Sequence, residues 1–345
     1  MLKLDQVRRV QVELTTRCNA RCPMCMRNYR GYDYNGGYPL CELSVEDFQR
    51  ILTPEILKSI IQPDPPVNGR ASISYGFRGV LFNGNLGDFS NAQDAAEIVQ
   101  YLASHRVPVM INTNGSTRSP EWWASLALPG VSIGFALDGL ADTHSLYRQD
   151  TDWNRVVENA KAFIAAGGKA IWRFIPFDHN RHQEAECKQL AMDLGFAQFE
   201  NIFDGRDSGP VFDRRGKFSH QIGPMQGPAP SIEPLLENHI TWYDAKTVKL
   251  AKDRSDINIR CIHKHNKEIY IAADGSVYPC CYLGFYPGQM QHPGNKELAP
   301  MVKENNALKY PLEHCLNWFD TVEAAWAAES IASGRPYQCV NSCGS

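Results

Sequence analysis

The stretch Cys18-Asn-Ala-Arg-Cys22-Pro-Met-Cys25 places three cysteines within eight residues, spaced C-x3-C-x2-C. Thiolates are soft ligands that suit iron–sulfur clusters, zinc or copper(I). A [4Fe–4S] cube ordinarily takes one cysteine per iron, so three thiolates leave one iron without a protein ligand. The alternative is a three-thiolate corner of a zinc site completed by a distant Cys or His, although zinc knuckles usually present C-x2-C pairs. Just upstream, Val10, Val12 and Leu14 alternate with Arg9, Gln11 and Glu13, the period-two pattern of a strand.

With its flank, Glu13-Leu-Thr-Thr-Arg-Cys18, the loop resembles the radical S-adenosylmethionine (SAM) superfamily. That resemblance implies an open iron that binds the amino and carboxylate groups of SAM, with an external electron donor reducing the cluster. A 5′-deoxyadenosyl radical would then abstract a hydrogen atom from a substrate carbon. The implied fold is α/β, a partial (β/α)6 TIM-like barrel with the cluster at the carboxyl ends of its strands.

Bulk properties agree with a globular enzyme. The 345 residues are long enough for about two domains. A net charge of −3 offers no basic field for nucleic acid, which makes RNA or nucleotide modification the least favoured chemistry. No run of 18 apolar residues predicts a membrane span, and the charged start Met1-Leu-Lys-Leu-Asp is unlike a signal peptide. Eleven cysteines without a signal peptide read as metal or redox ligands in a cytoplasmic protein.

Strand and helix patterns alternate after the loop. Strands are expected over Gly79–Gly84, Val107–Asn112, Val131–Leu137, Lys169–Pro176 and Ala197–Phe203. Helices are expected near Ser44–Ile61 with a break at Pro54, and over Ser90–Leu102, Pro120–Leu128, Asp152–Ala166 and Gln183–Leu194. Ser90-x-x-Gln93 reads as a capping box. Such alternation implies a parallel sheet with right-handed crossovers. The barrel is assigned residues 1–203. Residues 204–256 read as a Gly- and Pro-rich bridging loop and a helix near Ile232–Lys252.

The last segment, 257–345, carries a second cysteine set. Glu268 to Cys280 reads as a β-hairpin turning at Asp274-Gly275. The spacing Cys261-x13-Gly275-x4-Cys280, followed by Cys339-Val-Asn-Ser-Cys343 on one loop, resembles the twitch variant of the SPASM auxiliary-cluster domain. The resemblance implies a small α+β domain in which Cys261, Cys280, Cys339 and Cys343 ligate a second [4Fe–4S] cluster, an electron relay. A structural zinc on the same thiolates is the alternative. Cys280 keeps the spacing from Gly275, so it is preferred over Cys281 as ligand. Cys187 and Cys315, on helical segments, read as buried small hydrophobes. Cys41 precedes the first helix.

The resemblance also assigns SAM contacts. In place of the family's Gly-Gly-Glu motif stands Asn83-Gly84-Asn85-Leu86-Gly87-Asp88, which implicates Gly84, Asn85 and Asp88. Asn114 ends the third strand. Ala136-Leu-Asp138-Gly139 looks like the family's Ser-x-Asp-Gly with the serine replaced. Arg148 is the first candidate for the SAM carboxylate and Arg173 the second, while Met24 takes a position that packs adenine. For substrate, the resemblance is strongest to maturases of ribosomally made precursor peptides, which crosslink, epimerise or splice them. A small-molecule dehydrogenase is the alternative. A peptide enzyme of this kind is expected to use a separate small leader-recognition protein.

Overall fold

Val10 and Val12 are fully buried, and so are Gln11 and Glu13 beside them. The strand β1, Arg9–Val12, is therefore enclosed on both faces, as inner strands of parallel sheets are. The two polar side chains tolerate enclosure because each has a partner: Tyr270 Oη donates to Glu13 Oε2 at 2.9 Å, and Gln11 bonds the Cys281 thiol. The computed structural model describes residues 2–25, 27–28, 30–32, 39–63, 77–202, 209–224, 231, 257–284, 298, 300–330 and 333–344.

The chain divides into two compact units, 1–13 with 41–81 and 238–345, and 14–40 with 82–237. The first unit orders its strands β10-β9-β1-β2. Here β2 is Gly79–Phe82, β9 is Glu268–Ile271 and β10 is Val277–Tyr278. Arg9 to Val12 pair in parallel with Glu268 to Ile271. The β9–β10 hairpin turns as expected at Asp274-Gly275, where Gly275 takes φ +83 and Asp274 Oδ1 accepts from Ser276 N at 2.9 Å. Ser44 caps the helix Val45–Ile51, and Pro54 starts the next, Pro54–Ile61.

The second unit builds the sheet β3-β4-β5-β6 from Val109–Thr113, Val131–Ala136, Lys169–Phe174 and Gln198–Asn201. All three pairings are parallel, with Asn112 beside Gly134 and Ala136 beside Arg173. One face carries Ile133, Phe135, Trp172 and Phe174, all fully buried and packed on Trp123, Phe163 and Phe196 from the outer layer. The result is the mostly parallel α/β sheet of a partial TIM barrel.

Three expectations need correction. The helix expected over Ser90–Leu102 is a 3-10 turn, Phe89–Asn91, and then a helix Ala95–Ser104. Ser90 does not cap it, because its hydroxyl bonds Asp88 Oδ1 and Thr117 Oγ1, both at 2.6 Å. Within the stretch read as a loop, Gly209–Phe212 and Phe218–Ile222 form an antiparallel pair, β7 and β8. Cys339 and Cys343 lie on a helix, Tyr337–Cys343, instead of a loop. The helix expected over 232–252 lies outside the described residues. Among the described residues, no helix is long and apolar enough to cross a membrane.

Candidate active site

The cysteine loop is held by its own backbone and by its neighbours in the second unit. Cys25 N donates to Cys22 O at 2.9 Å and Asn28 N to Cys25 O at 3.2 Å, which closes a tight turn. Arg27 Nη1 donates to Thr16 O and, at 3.1 Å, to Leu86 O. Asp88 N donates to Arg17 O at 2.9 Å. At Gly87 the two backbones meet so closely that a Cβ would stand 1.6 Å from Thr15 O. Only glycine fits there.

The three thiols share one apolar cluster. Cys18, Cys22, Met24 and Cys25 pack with Tyr147, Ile175, Phe177, Val211 and Ile222, so β7 and β8 contribute to its cover. Two side chains point donors at the sulfurs: Asn114 Nδ2, just past the end of β3, stands 3.8 Å from Cys18 Sγ, and Arg148 Nη1, at the end of the short helix His144–Tyr147, stands 3.7 Å from Cys22 Sγ. Burial pushes the Cys18 thiol well up, and the Asp88 carboxylate and the two sister thiols add to the effect. A metal cation in the proton's place reverses that balance. Among the described residues, no three Cys, His, Asp or Glu side chains surround one point as a single ion requires. Three thiols on one turn suit a cube, in which each iron takes its own thiolate.

The strand ends form an interlocked polar layer. Asp88 Oδ1 accepts from Ser90 N, Ser90 Oγ and Thr113 Oγ1, while Oδ2 accepts from Asn114 N at 2.7 Å. Its carboxylate is thus taken up in joining the chain after β2 to the end of β3. Gly84 and Asn85, just before it, are partly exposed. Asp138 is fully buried, accepting from Ile175 N at 2.6 Å and from Arg148 Nε at 2.5 Å. Burial works against the Arg148 charge, but Asp138 and then Cys22 outweigh it and raise its pKa above the ordinary value. Arg173, on β5, bonds Asn112 and lies two positions before Ile175 of the cysteine cluster.

Two contributors were not singled out from sequence. Asn19 Oδ1 accepts from Asn91 and Asn114 side chains at 3.2 and 3.0 Å, tying the loop to the 3-10 turn Phe89–Asn91 and to the end of β3. Its position inside the cysteine motif was the available signal. His144 Nδ1 accepts from Asp138 N at 3.2 Å, and Nε2 bonds Thr151 Oγ1 at 3.0 Å. Burial, then Arg148, lowers its pKa to about 3 and keeps the ring neutral.

In the first unit, Cys261, Cys280, Cys339 and Cys343 line one pocket with Tyr282 and Trp326. The helix Tyr337–Cys343 puts Cys339 and Cys343 four residues apart, on one face. A hydrogen bond with Cys343 lowers the Cys261 pKa to about 6 against burial, and the same bond raises Cys343. Burial, then Cys281 and Cys339, pushes Cys280 well up. Cys281 instead faces Glu268 and Gln11. Cys187 and Cys315 are buried on helices, as expected, and Cys41 is partly exposed.

Comparison with known proteins follows the same lines. The family model of the Radical SAM superfamily matches residues 12–184, half of the chain. The fold is similar to Streptococcus suis SuiB bound to S-adenosylmethionine, at 12% identity and a TM-score of 0.57, over 93% of this chain and 68% of that one. It is similar to SuiB bound to the precursor peptide SuiA at 14% identity and a TM-score of 0.55, over 96% and 70% of the two chains. No curated relative matches.

Proposed function

Because the chain belongs to the radical SAM superfamily, we propose that it is a peptide-modifying enzyme with two [4Fe–4S] clusters, acting on a ribosomally made precursor peptide. The observation that carries this reading is the shared packing of Cys18, Cys22 and Cys25 with donors from Asn114 and Arg148 at two sulfurs. When bound, the first cluster and SAM supply one-electron chemistry that ends in hydrogen-atom abstraction from the substrate. Cys18, Cys22 and Cys25 would hold that cluster. Arg148 and Asn114 would favour its thiolates by charge and hydrogen bonding, and Arg148 would also meet the SAM carboxylate. Gly84, Asn85, Asp138 and Met24 complete the SAM set of this reading. Asp88 serves by fixing Asn114, and His144 by fixing the backbone of Asp138. The apolar cover over the loop excludes water.

Residues 257–345 form the proposed twitch domain, with Cys261, Cys280, Cys339 and Cys343 holding the second cluster as electron relay. Their common pocket supports this assignment, and Cys281, turned to Glu268 and Gln11, is left out of it. The barrel is assigned 1–203 and the bridge 204–256. The peptide is preferred to a small molecule because the fold is shared with SuiB, a protein whose structure was determined with a precursor peptide. The proposed setting is the cytoplasm, with an external electron donor and a separate leader-recognition protein. The test is anaerobic reconstitution with iron and sulfide, then SAM and dithionite. Formation of 5′-deoxyadenosine, abolished in Cys22→Ala, is expected; a reconstituted enzyme that leaves SAM intact would overturn the reading.

A further inference from the structure

Each thiol of the C-terminal set meets an N–H group. Lys264 N donates to Cys261 Sγ at 3.4 Å, Leu283 N donates to Cys280, and Ile262 N to Cys343. These three donors belong to the backbone, so they come with the path of the chain and no substitution removes them. Cys339 differs. The donor it meets is a side chain, the indole N–H of Trp326. Burial pushes the Cys339 thiol up to about 12, and that N–H is the strongest influence in the other direction.

Geometry gives this N–H one purpose. Trp326 ends the helix Phe319–Ala325 and lines the pocket of the four thiols. The residue is partly exposed, yet its Nε1 is buried and has no oxygen or nitrogen acceptor. A buried indole N–H ordinarily finds a partner, because leaving it unpaired is costly. The ring is braced from another side. Lys264 Nζ stands 5.9 Å from its centroid and pairs with Glu323 Oε2 at 2.7 Å, three residues before Trp326. A neutral thiol is a weak acceptor, whereas a metal-bound thiolate carries negative charge and accepts strongly. The orphaned donor is therefore arranged for the ligated form of Cys339. Hydrogen bonds to ligand sulfurs help to set a cluster's potential. The reduced cluster carries one more electron and gains more from such a donor than the oxidised one.

We propose that the Trp326 indole N–H donates to the Cys339 thiolate and raises the reduction potential of the second cluster, which suits that cluster to accept an electron. This rests on the two-cluster reading above.

The test is a potentiometric titration of the reconstituted full-length enzyme, followed by electron paramagnetic resonance. SAM alters the spectrum of the cluster it binds, so the signal indifferent to SAM reports the second one. Trp326→Phe keeps an aromatic ring and removes the N–H. It should shift that signal's one-electron equilibrium toward the oxidised form by about threefold or more, the scale of one hydrogen bond. The SAM-sensitive signal should stay where it was. Trp318→Phe is the control, because Trp318 Nε1 is also buried without an acceptor but Trp318 does not line the pocket. A second readout uses wild type itself, with tryptophan isotopically labelled at the indole nitrogen. The second cluster's signal should then carry a nitrogen coupling that Trp326→Phe loses and Trp318→Phe retains. Equal potentials for wild type and Trp326→Phe, an equal shift in Trp318→Phe, or no indole coupling in wild type overturns the donor while the two-cluster reading stands. Should Trp326→Phe fail to hold the cluster, the wild-type coupling decides. Absence of a SAM-indifferent signal in wild type, with about four irons per chain and SAM still cleaved, overturns the second cluster and the donor with it.

Discussion

The two groups of thiols are assembled in opposite ways. The N-terminal three come from eight consecutive residues on one turn, and two of their sulfurs meet an amide from the end of β3 and a guanidinium from the end of a short helix. The C-terminal four come from three separated places: before a short helix, after a hairpin, and along one face of a terminal helix. They are walled by aromatic and apolar side chains such as Tyr282, Phe319 and Trp326. A short loop closes at little entropic cost and can leave one side open for a ligand. Four thiols gathered over long sequence separations enclose what they bind. In the proposed reading, the first arrangement serves chemistry at an open iron and the second an electron relay.

Removing one thiol from the open site should have the largest effect. Cys22→Ala is expected to eliminate 5′-deoxyadenosine formation altogether, read by chromatography after reconstitution. Replacing both Cys261 and Cys280 by alanine should halve the iron content, preserve SAM cleavage without substrate and abolish product formation. Equal loss of both activities would erase the functional distinction between the sites.

Two changes probe how the open site is held. Gly87→Ala forces a Cβ against Thr15 O, and overpacking of this kind costs about 1–3 kcal/mol or more. A lowered melting temperature and poorer iron retention should follow. His144 tests the polar layer by pH. Its folded pKa of about 3 lies below the ordinary 6.5, so the unfolded chain binds the extra proton first. Its contribution to stability is complete above pH 6.5 and declines as pH falls toward 3. Between pH 7 and 5 the loss should be about 2 kcal/mol. In His144→Asn, denaturant titrations at the two pH values should show that much less pH dependence. The smallest effect is expected from Cys281→Ser: the same iron content as wild type, because that sulfur faces Gln11 and Glu268.

What could be read from sequence follows the range of the interactions involved. The loop cysteines, the Asp274-Gly275 turn and the strand–helix alternation are local patterns, and each reappears in the structure. The pair β7 and β8 was hidden by Gly209, Pro210, Gly216 and Gly223, which read as loop chemistry although Val211, Phe212 and Ile222 bury completely. Ser90 looked like a helix cap because local spacing cannot show that Asp88 claims its hydroxyl. The helix over Tyr337–Cys343 spans seven residues, too few to display a period of 3.6. Asp88 was read as a cofactor contact from its place in a motif. Its four accepted hydrogen bonds come from residues up to 26 positions away, beyond the reach of any spacing rule.

The difference between an open and an enclosed site is tested most directly by iron and sulfide per chain after anaerobic reconstitution. Two cubes require about eight irons in wild type and about four in the Cys261→Ala, Cys280→Ala double variant. About four irons in both proteins would contradict the account, leaving the C-terminal thiols without a cluster and the enzyme without its relay.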